Sequence, residues 1–292
     1  MEKQKKSRQS ALRKAVQLLS GLAANAHLKG FVTGKIYTGP LKQFCVPGLN
    51  CYSCPGAVGA CPIGSLQAVV GSRKKFPFLI LGYLALIGVV LGRFVCGWLC
   101  LFGLVQELLY QIPTPKLKMP HRADRVLRWG KYFFLLVFVF ALPAFLKEMG
   151  GLVSVPYFCK YVCPAGMLEG GIPLVALNSG LRQTVGRLFA WKWVLLGVFV
   201  LSSVFLYRPF CKYVCPLGAF YALFQRFSFL RLRVDREKCV DCGRCVRACP
   251  MGVDVLRSPN SPECIRCGAC AEGCPAKALR FSFREKSDAA DR

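Results

Sequence analysis

The sequence predicts a mainly α fold, a four-helix transmembrane bundle followed by a small α+β domain, and three observations predict it. The chain of 292 residues is 54% hydrophobic yet carries a net charge of +26. That combination is ordinary for a membrane protein with basic cytoplasmic segments and unusual for a soluble globule. Long charge-poor apolar runs recur through residues 1–230. The last fifth is different: it carries eight cysteines in two matching runs. The predicted division is therefore a helical domain at 1–230, a cysteine-rich domain at 231–284 and a polar tail at 285–292.

The helices follow in order. The first is expected at about 15–36, interrupted by Asn25, His27 and Lys29. A rival reading is a secretory signal, because Lys3, Lys5, Lys6, Arg8, Arg13 and Lys14 precede a short apolar stretch and then Ala24-Asn25-Ala26. Gln17, Ser20 and Gly21 spoil the apolar centre such a signal needs, which favours an uncleaved helix. The second is expected at 76–95, free of charge until Arg93. The third, at 131–147, centres on Tyr132 to Leu146, and the fourth, at 191–207, on Trp193 to Tyr207. With their flanks they approach the roughly 17–25 residues that cross the hydrocarbon. Runs apolar on every side fit a soluble core helix poorly.

Charge sets the expected orientation. The amino end is basic, as are the loop with Lys116, Lys118, Arg122, Arg125, Arg128 and Lys131 and the segment with Arg226, Arg231, Arg233, Arg236 and Lys238. The positive-inside rule puts these three in the cytoplasm, against Arg73, Lys74, Lys75, Arg182, Arg187 and Lys192 outside. The expected location is the inner, cytoplasmic membrane. Nucleic acid is excluded as a partner, because the charges flank apolar runs and no nucleic-acid motif appears.

The cysteine-rich domain carries the clearest chemistry. Cys239, Cys242, Cys245 and Cys249-Pro250 read C-x2-C-x2-C-x3-C-P, and Cys264, Cys267, Cys270 and Cys274-Pro275 repeat it. This is the bacterial two-cluster ferredoxin spacing, in which the fourth cysteine of each run ligates the other run's cluster. It assigns Cys239, Cys242, Cys245 and Cys274 to one [4Fe–4S] cluster, and Cys264, Cys267, Cys270 and Cys249 to a second. Zinc more often uses two separated C-x2-C pairs, and disulfides need an oxidising compartment. Leu230 to Val234 and Ala278 to Phe283 alternate as strands do.

Ten further cysteines lie in the helical domain. Cys96-Gly-Trp-Leu-Cys100 and Cys211-Lys-Tyr-Val-Cys215-Pro216 follow the second and fourth helices at their expected inner ends. Cysteines four apart share a helix face, so these four form a candidate inner metal site. Cys45, Cys51, Cys54, Cys61, Cys159 and Cys163 fall in outer loops. A candidate outer site uses Cys159 and Cys163 with two or more of the others. Structural thiols for the first group and disulfides for the second are the alternatives. The repeated Cys-Lys-Tyr-Val-Cys-Pro string points to an internal duplication, each half an apolar helix followed by a cysteine pair.

At these residues the chain resembles the NapH/NosR-type membrane polyferredoxins. The resemblance rests on Cys51-Tyr-Ser-Cys54-Pro55, Cys61-Pro-Ile-Gly64, Arg93-Phe-Val-Cys96-Gly-Trp-Leu-Cys100, both Cys-Lys-Tyr-Val-Cys-Pro strings and the two cluster runs. It covers nearly the whole chain. It implies a four-helix inner-membrane protein that moves electrons between the quinone pool or a soluble donor and a respiratory or maturation partner. Leu101 departs from the pattern, since such motifs commonly have proline there.

No G-x-G-x-x-G follows a strand, no Walker motif appears, and His27 and His121 are too far apart to serve one haem. Glu107, Glu148 and Glu169, near helix ends, read as solvated carboxylates, the alternative being a quinone or proton path. The basic residues suit anionic lipid and an acidic redox partner. The resulting expectation is a non-catalytic electron-transfer subunit with two [4Fe–4S] clusters and up to two further metal–thiolate sites. Its rival is a metal-centre assembly or redox regulatory factor.

Overall fold

Four times the chain repeats one unit: a helix, a cysteine-bearing turn and a shorter helix. The computed structural model describes residues 8–72, 77–117, 119–146, 155–183 and 185–283. Helix Arg8–Ala24 leads to Cys51, Cys61 and helix Pro62–Ser72, and helix Phe78–Leu91 leads to Cys96, Cys100 and helix Leu101–Tyr110. Helix Arg122–Phe145 leads to Cys159, Cys163 and helix Met167–Leu177. Helix Arg187–Phe205 leads to Cys211, Cys215 and helix Pro216–Phe224.

Among the described residues, two helices are long and apolar enough to cross a membrane: Arg122–Phe145, of 24 residues, and Arg187–Phe205, of 19. The expected bundle of four such helices is thus not established. The expected helix at 76–95 runs only Phe78–Leu91, 14 residues. It stops at Gly92, whose φ of +54° is a left-handed conformation that glycine tolerates. The expected helix at 15–36 splits in two. The Asn25 side chain donates to Gly21 O at 3.0 Å and to Asn50 Oδ1 at 2.9 Å, ending the helix at Ala24. A short helix resumes only at Lys29–Thr33.

Helix Arg8–Ala24 is amphipathic in the inverted sense. Arg13 and Gln17 are buried, whereas Leu12, Leu18, Leu19 and Leu22 are exposed. Trp191, Trp193, Val194, Val198 and Leu201 likewise stand exposed along helix Arg187–Phe205. Contiguous exposed apolar surface of this kind marks a contact with a membrane or with another protein. Lys3, Lys5, Lys6, Arg73–Lys75, Lys118, Glu148 and the expected tail 285–292 lie outside the described residues.

The cysteine-rich domain closes with strand β1 (Leu230–Val234) antiparallel to strand β2 (Leu279–Phe283), in register from Leu230 opposite Phe283 to Val234 opposite Leu279. Beneath the pair, Leu232, Val255 and Leu279 pack on Cys245 and Cys270. The domain is docked on the helices by main-chain and buried ionic contacts. Trp98 Nε1 donates to Arg266 O at 3.0 Å, and Gln225 Nε2 to Cys264 O at 2.9 Å. Arg93 donates to Pro262 O at 2.8 Å, while Glu263 pairs with both Arg93 (3.2 Å) and Lys131 (2.5 Å). Both cationic side chains are fully buried. One hydrophobic core consequently runs from Cys96 and Cys211 into Met251, Val253 and Ile265.

Candidate metal centres

The eight cysteines of the C-terminal domain separate into the two expected quartets. Cys239, Cys242, Cys245 and Cys274 line one small cavity together with Val234, Leu256 and Leu279. Cys249, Cys264, Cys267 and Cys270 make up the other, near enough to bear on each other's ionisation. Burial pushes the Cys264 thiol up to about 11 and that of Cys270 to about 12. Metal binding would have to displace these protons. Cys242 is exposed, so the first quartet faces the surface, and the second lies against the helices.

Cys96, Cys100, Cys211 and Cys215 also converge. All four are buried, and each of Cys100, Cys211 and Cys215 is pushed up first by burial and then by its neighbours in the group, Cys100 to about 12. Cys215 opens helix Pro216–Phe224, and its sulfur accepts the Gly218 N–H at 3.4 Å. Cys100 likewise precedes helix Leu101–Tyr110, at its N-cap. Free N–H groups at a helix start favour a thiolate. Two fully buried guanidiniums complete the surroundings: Arg93 donates to Cys211 O at 3.2 Å, and Arg208 to Cys96 O at 2.5 Å. A Cβ at Gly103 would meet Arg208 at 2.9 Å, and one at Gly218 would meet Arg93 at 3.3 Å. The glycine three residues after each of these cysteines makes room for an arginine.

The six outer candidates divide. Cys51, Cys61, Cys159 and Cys163 line one cavity of about 360 Å³. Burial pushes Cys51 up to about 11 and Cys163 to about 12. Cys54 turns aside, donating from Sγ to Glu169 O at 3.1 Å. Cys45 lines a separate cavity with Phe44 and Val46, and its carbonyl accepts the Tyr83 hydroxyl at 2.6 Å. No disulfide joins any two of the eighteen cysteines.

Of the carboxylates expected in solvent, Glu107 is buried and Glu169 is half-buried. Glu107 is 3% exposed, accepts from Arg13 at 2.9 Å, pairs with Arg208 at 3.0 Å and receives the Tyr207 hydroxyl. Glu169 accepts the Cys51 N–H at 2.7 Å, and burial pushes it up to about 7. A neighbouring arginine or main-chain donor from a distant segment explains each, which no local pattern signals. Glu148 lies outside the described residues. Sequence reasoning also passed over Gln67, Gln106, Arg208 and Arg266. The available signal was Cys-x2-Gly-x2-Gln, present at Cys61 to Gln67 and again at Cys100 to Gln106.

The residues fit iron–sulfur clusters. Each quartet offers four thiols and no other donor type. A cubane spreads its four thiolates over four irons. The quartets also follow one another. Gly97, between Cys96 and Cys100, lies against Ile265 between Cys264 and Cys267, where a Cβ would be 2.3 Å from Ile265 O. Buried Tyr221 is within electrostatic reach of both Cys96 and Cys61.

Two family models, each described as a 4Fe-4S binding domain, match the chain: one at 59–78, 76–120 and 184–235, the other at 232–253. The protein MJ0750 of Methanocaldococcus jannaschii is 32% identical over 197 residues, 66% of this chain and 74% of that one. The ferredoxin-type protein NapH of Haemophilus influenzae is 29% identical over 58% of this chain and 52% of its own length. The regulatory protein NosR of Stutzerimonas stutzeri is 30% identical over 54% of this chain and 20% of its own. No solved structure matches. Shared motifs, helical cysteine pairs and the ferredoxin runs lead to one conclusion: the chain belongs to the ferredoxin-type 4Fe–4S proteins of the NapH/NosR type, iron–sulfur proteins of electron transport.

Proposed function

We propose that this chain is a multi-pass protein of the cytoplasmic membrane that carries single electrons through four cysteine quartets in series. The observation that carries the reading is their contiguity, from exposed Cys242 through the Cys264 quartet, across the Gly97–Ile265 contact to the Cys96 quartet, and past Tyr221 to the Cys51 quartet. When bound, a [4Fe–4S] cluster at each quartet supplies a one-electron acceptor and donor. The protein's own part is to hold sixteen thiolates, bury Cys96, Cys100, Cys211 and Cys215 away from water, and supply cations where negative charge gathers. Arg93 and Arg208 do so beside Cys96 and Cys211. Arg266 does so beside Cys264: it is 1% exposed, its donors go to Leu91 O, Gln225 O and Ser228 Oγ, and its one attractive charge neighbour is that thiol.

The positive-inside reading puts the ferredoxin domain in the cytoplasm, where a redox partner protein meets the Cys239 quartet. The quinone pool or a soluble donor stands at one end of the path and a partner complex at the other. Low-temperature EPR and iron counting on anaerobically purified protein test this. Sixteen irons, with signals lost separately on replacing Cys96 with Cys211 or Cys51 with Cys163, support it. Eight irons and no membrane-domain signal would refute the series. The similarity to NosR favours one rival, a redox regulatory or metal-centre assembly factor. That rival gains if a deletion strain accumulates a metal-free enzyme while quinol-linked electron flow persists.

A further inference from the structure

Two glutamines hold matching positions in the two helical-domain quartets. Gln67 lies six residues after Cys61, and Gln106 six after Cys100. Each sits on the short helix that its cysteine opens, and each is almost wholly buried, at 0% and 2% exposure. Gln67 Nε2 donates to Cys159 Sγ at 3.3 Å, and Gln67 Oε1 accepts the Phe158 N–H at 2.9 Å. Gln106 Nε2 donates to Cys211 Sγ at 3.1 Å, and Gln106 Oε1 accepts the Phe210 N–H at 3.1 Å. Nε2 also donates to the carbonyl four residues back in both, Ile63 O and Phe102 O, each at 3.2 Å. The same three contacts recur on unconnected segments.

The orientation of each amide is forced. Reversing it would set its oxygen against a sulfur and its NH2 against a main-chain N–H, losing both bonds. A buried amide costs free energy unless its bonds are made, and leucine would fill the same helix site without that demand. What glutamine adds is a donor aimed at sulfur. The same spacing after Cys163 and Cys215 brings Glu169 and Tyr221, which bond to Cys51 N and Pro47 O instead. The sulfur-directed contact therefore belongs to the glutamines.

We propose that Gln67 and Gln106 are paired positioning residues that set the reduction potentials of the two helical-domain centres, each fixing one ligand cysteine and donating a hydrogen bond to its sulfur. This rests on the cluster assignment above. A four-thiolate [4Fe–4S] centre has net charge −2 oxidised and −3 after gaining one electron. A donor on a ligand sulfur stabilises the more negative state and raises the potential. Water exclusion enlarges the effect.

The test is an EPR-monitored redox titration of the full chain, loaded and purified in detergent, with iron counted on each sample. Gln106→Leu should move the Cys96-quartet signal to lower potential. A tenfold fall in the reduced-to-oxidised ratio, 59 mV for a one-electron couple, is the expected scale. Gln67→Leu should move only the Cys51-quartet signal. Gln106→Glu, titrated at a pH where the carboxyl is ionised, keeps the acceptor for Phe210 N–H and removes the donor, so it should lower the potential too. Full iron with unmoved potentials in all three variants would overturn the proposal. So would loss of that quartet's iron in every variant, which makes the glutamines structural only. A wild-type protein without any helical-domain signal would instead defeat the cluster assignment, a separate result.

Discussion

Replacing Gly97 by alanine asks whether the ferredoxin domain must touch the Cys96 quartet for electrons to pass. The added Cβ would lie 2.3 Å from Ile265 O. Ordinary contact begins at 3.4 Å, and 3.4 less 2.3 leaves a 1.1 Å separation to be found. The atom struck is main chain, so no rotamer change relieves it. The Cys264–Cys267 loop must lift as a unit, stretching the 3.0 Å bond from Trp98 Nε1 to Arg266 O. Overpacking of this kind costs about 1–3 kcal/mol. Thermal unfolding measures the cost, and flash reduction of the ferredoxin quartets measures the rate at which electrons reach the Cys96 signal. That rate should fall while iron content holds. Gly82→Ala is the control, because nothing lies within 4 Å of its Cβ position. It should be neutral or stabilising, since alanine is the better helix former. Unchanged stability and an unchanged rate in Gly97→Ala would refute the contact as the electron route.

Glu263→Gln leaves Arg93 and Lys131 buried without their carboxylate, which should cost about 3–5 kcal/mol and expose the domain junction to limited proteolysis. The same pair predicts a pH limit. Burial alone would raise the Glu263 carboxyl, but Arg93 and Lys131 outweigh it and hold the group below its ordinary value. Its contribution is therefore complete above about pH 4.3 and lost as pH falls through the depressed folded value, so protease resistance should drop on acidification below that point. Cys96→Ser with Cys211→Ser should remove about four irons, whereas Cys45→Ser should remove none, both read by iron counting.

The ferredoxin quartets were legible because each spans few residues and the ligand spacing is itself the signal. The Cys96 quartet was legible for a related reason: Cys-Lys-Tyr-Val-Cys-Pro occurs twice, and cysteines four apart share a face. Choosing Cys51 and Cys61 over Cys45 and Cys54 was not, because the cavity that selects them is closed by Cys159 and Cys163 from about a hundred residues away. Glu107 misled for the same reason: its partners Arg13 and Arg208 come from another helix and from the turn before helix Pro209–Tyr213. Gln67 and Gln106 read as polar residues in apolar helices. Only their bonds to Cys159 and Cys211 distinguish them from solvent-facing ones. Helix ends failed more locally, at Asn25, whose side chain caps the turn before it, and at Gly92.

The two helical-domain quartets differ in their fixed charges, and that difference predicts an order of reduction. The Cys96 quartet has Arg93 and Arg208 beside it, both with side chains fully buried and both near its thiols. The Cys51 quartet has no fully buried guanidinium beside it: its neighbouring cations are the part-exposed Lys42, Lys160 and Lys192, and a half-buried carboxyl, Glu169, sits on its main chain. Both quartets receive the same glutamine contact, so the amides do not separate them. Buried positive charge favours the reduced, more negative state, which gives the Cys96 quartet the higher potential. Electrons added singly should appear there before they appear at the Cys51 quartet. Transfer from the Cys51 side toward the ferredoxin domain is then downhill over its first step. Arg93→Met should narrow the gap by lowering the Cys96 signal alone. An EPR titration in which the Cys51 signal appears first in the unaltered protein would show that the guanidiniums serve Glu107 and Glu263 rather than the metal centre.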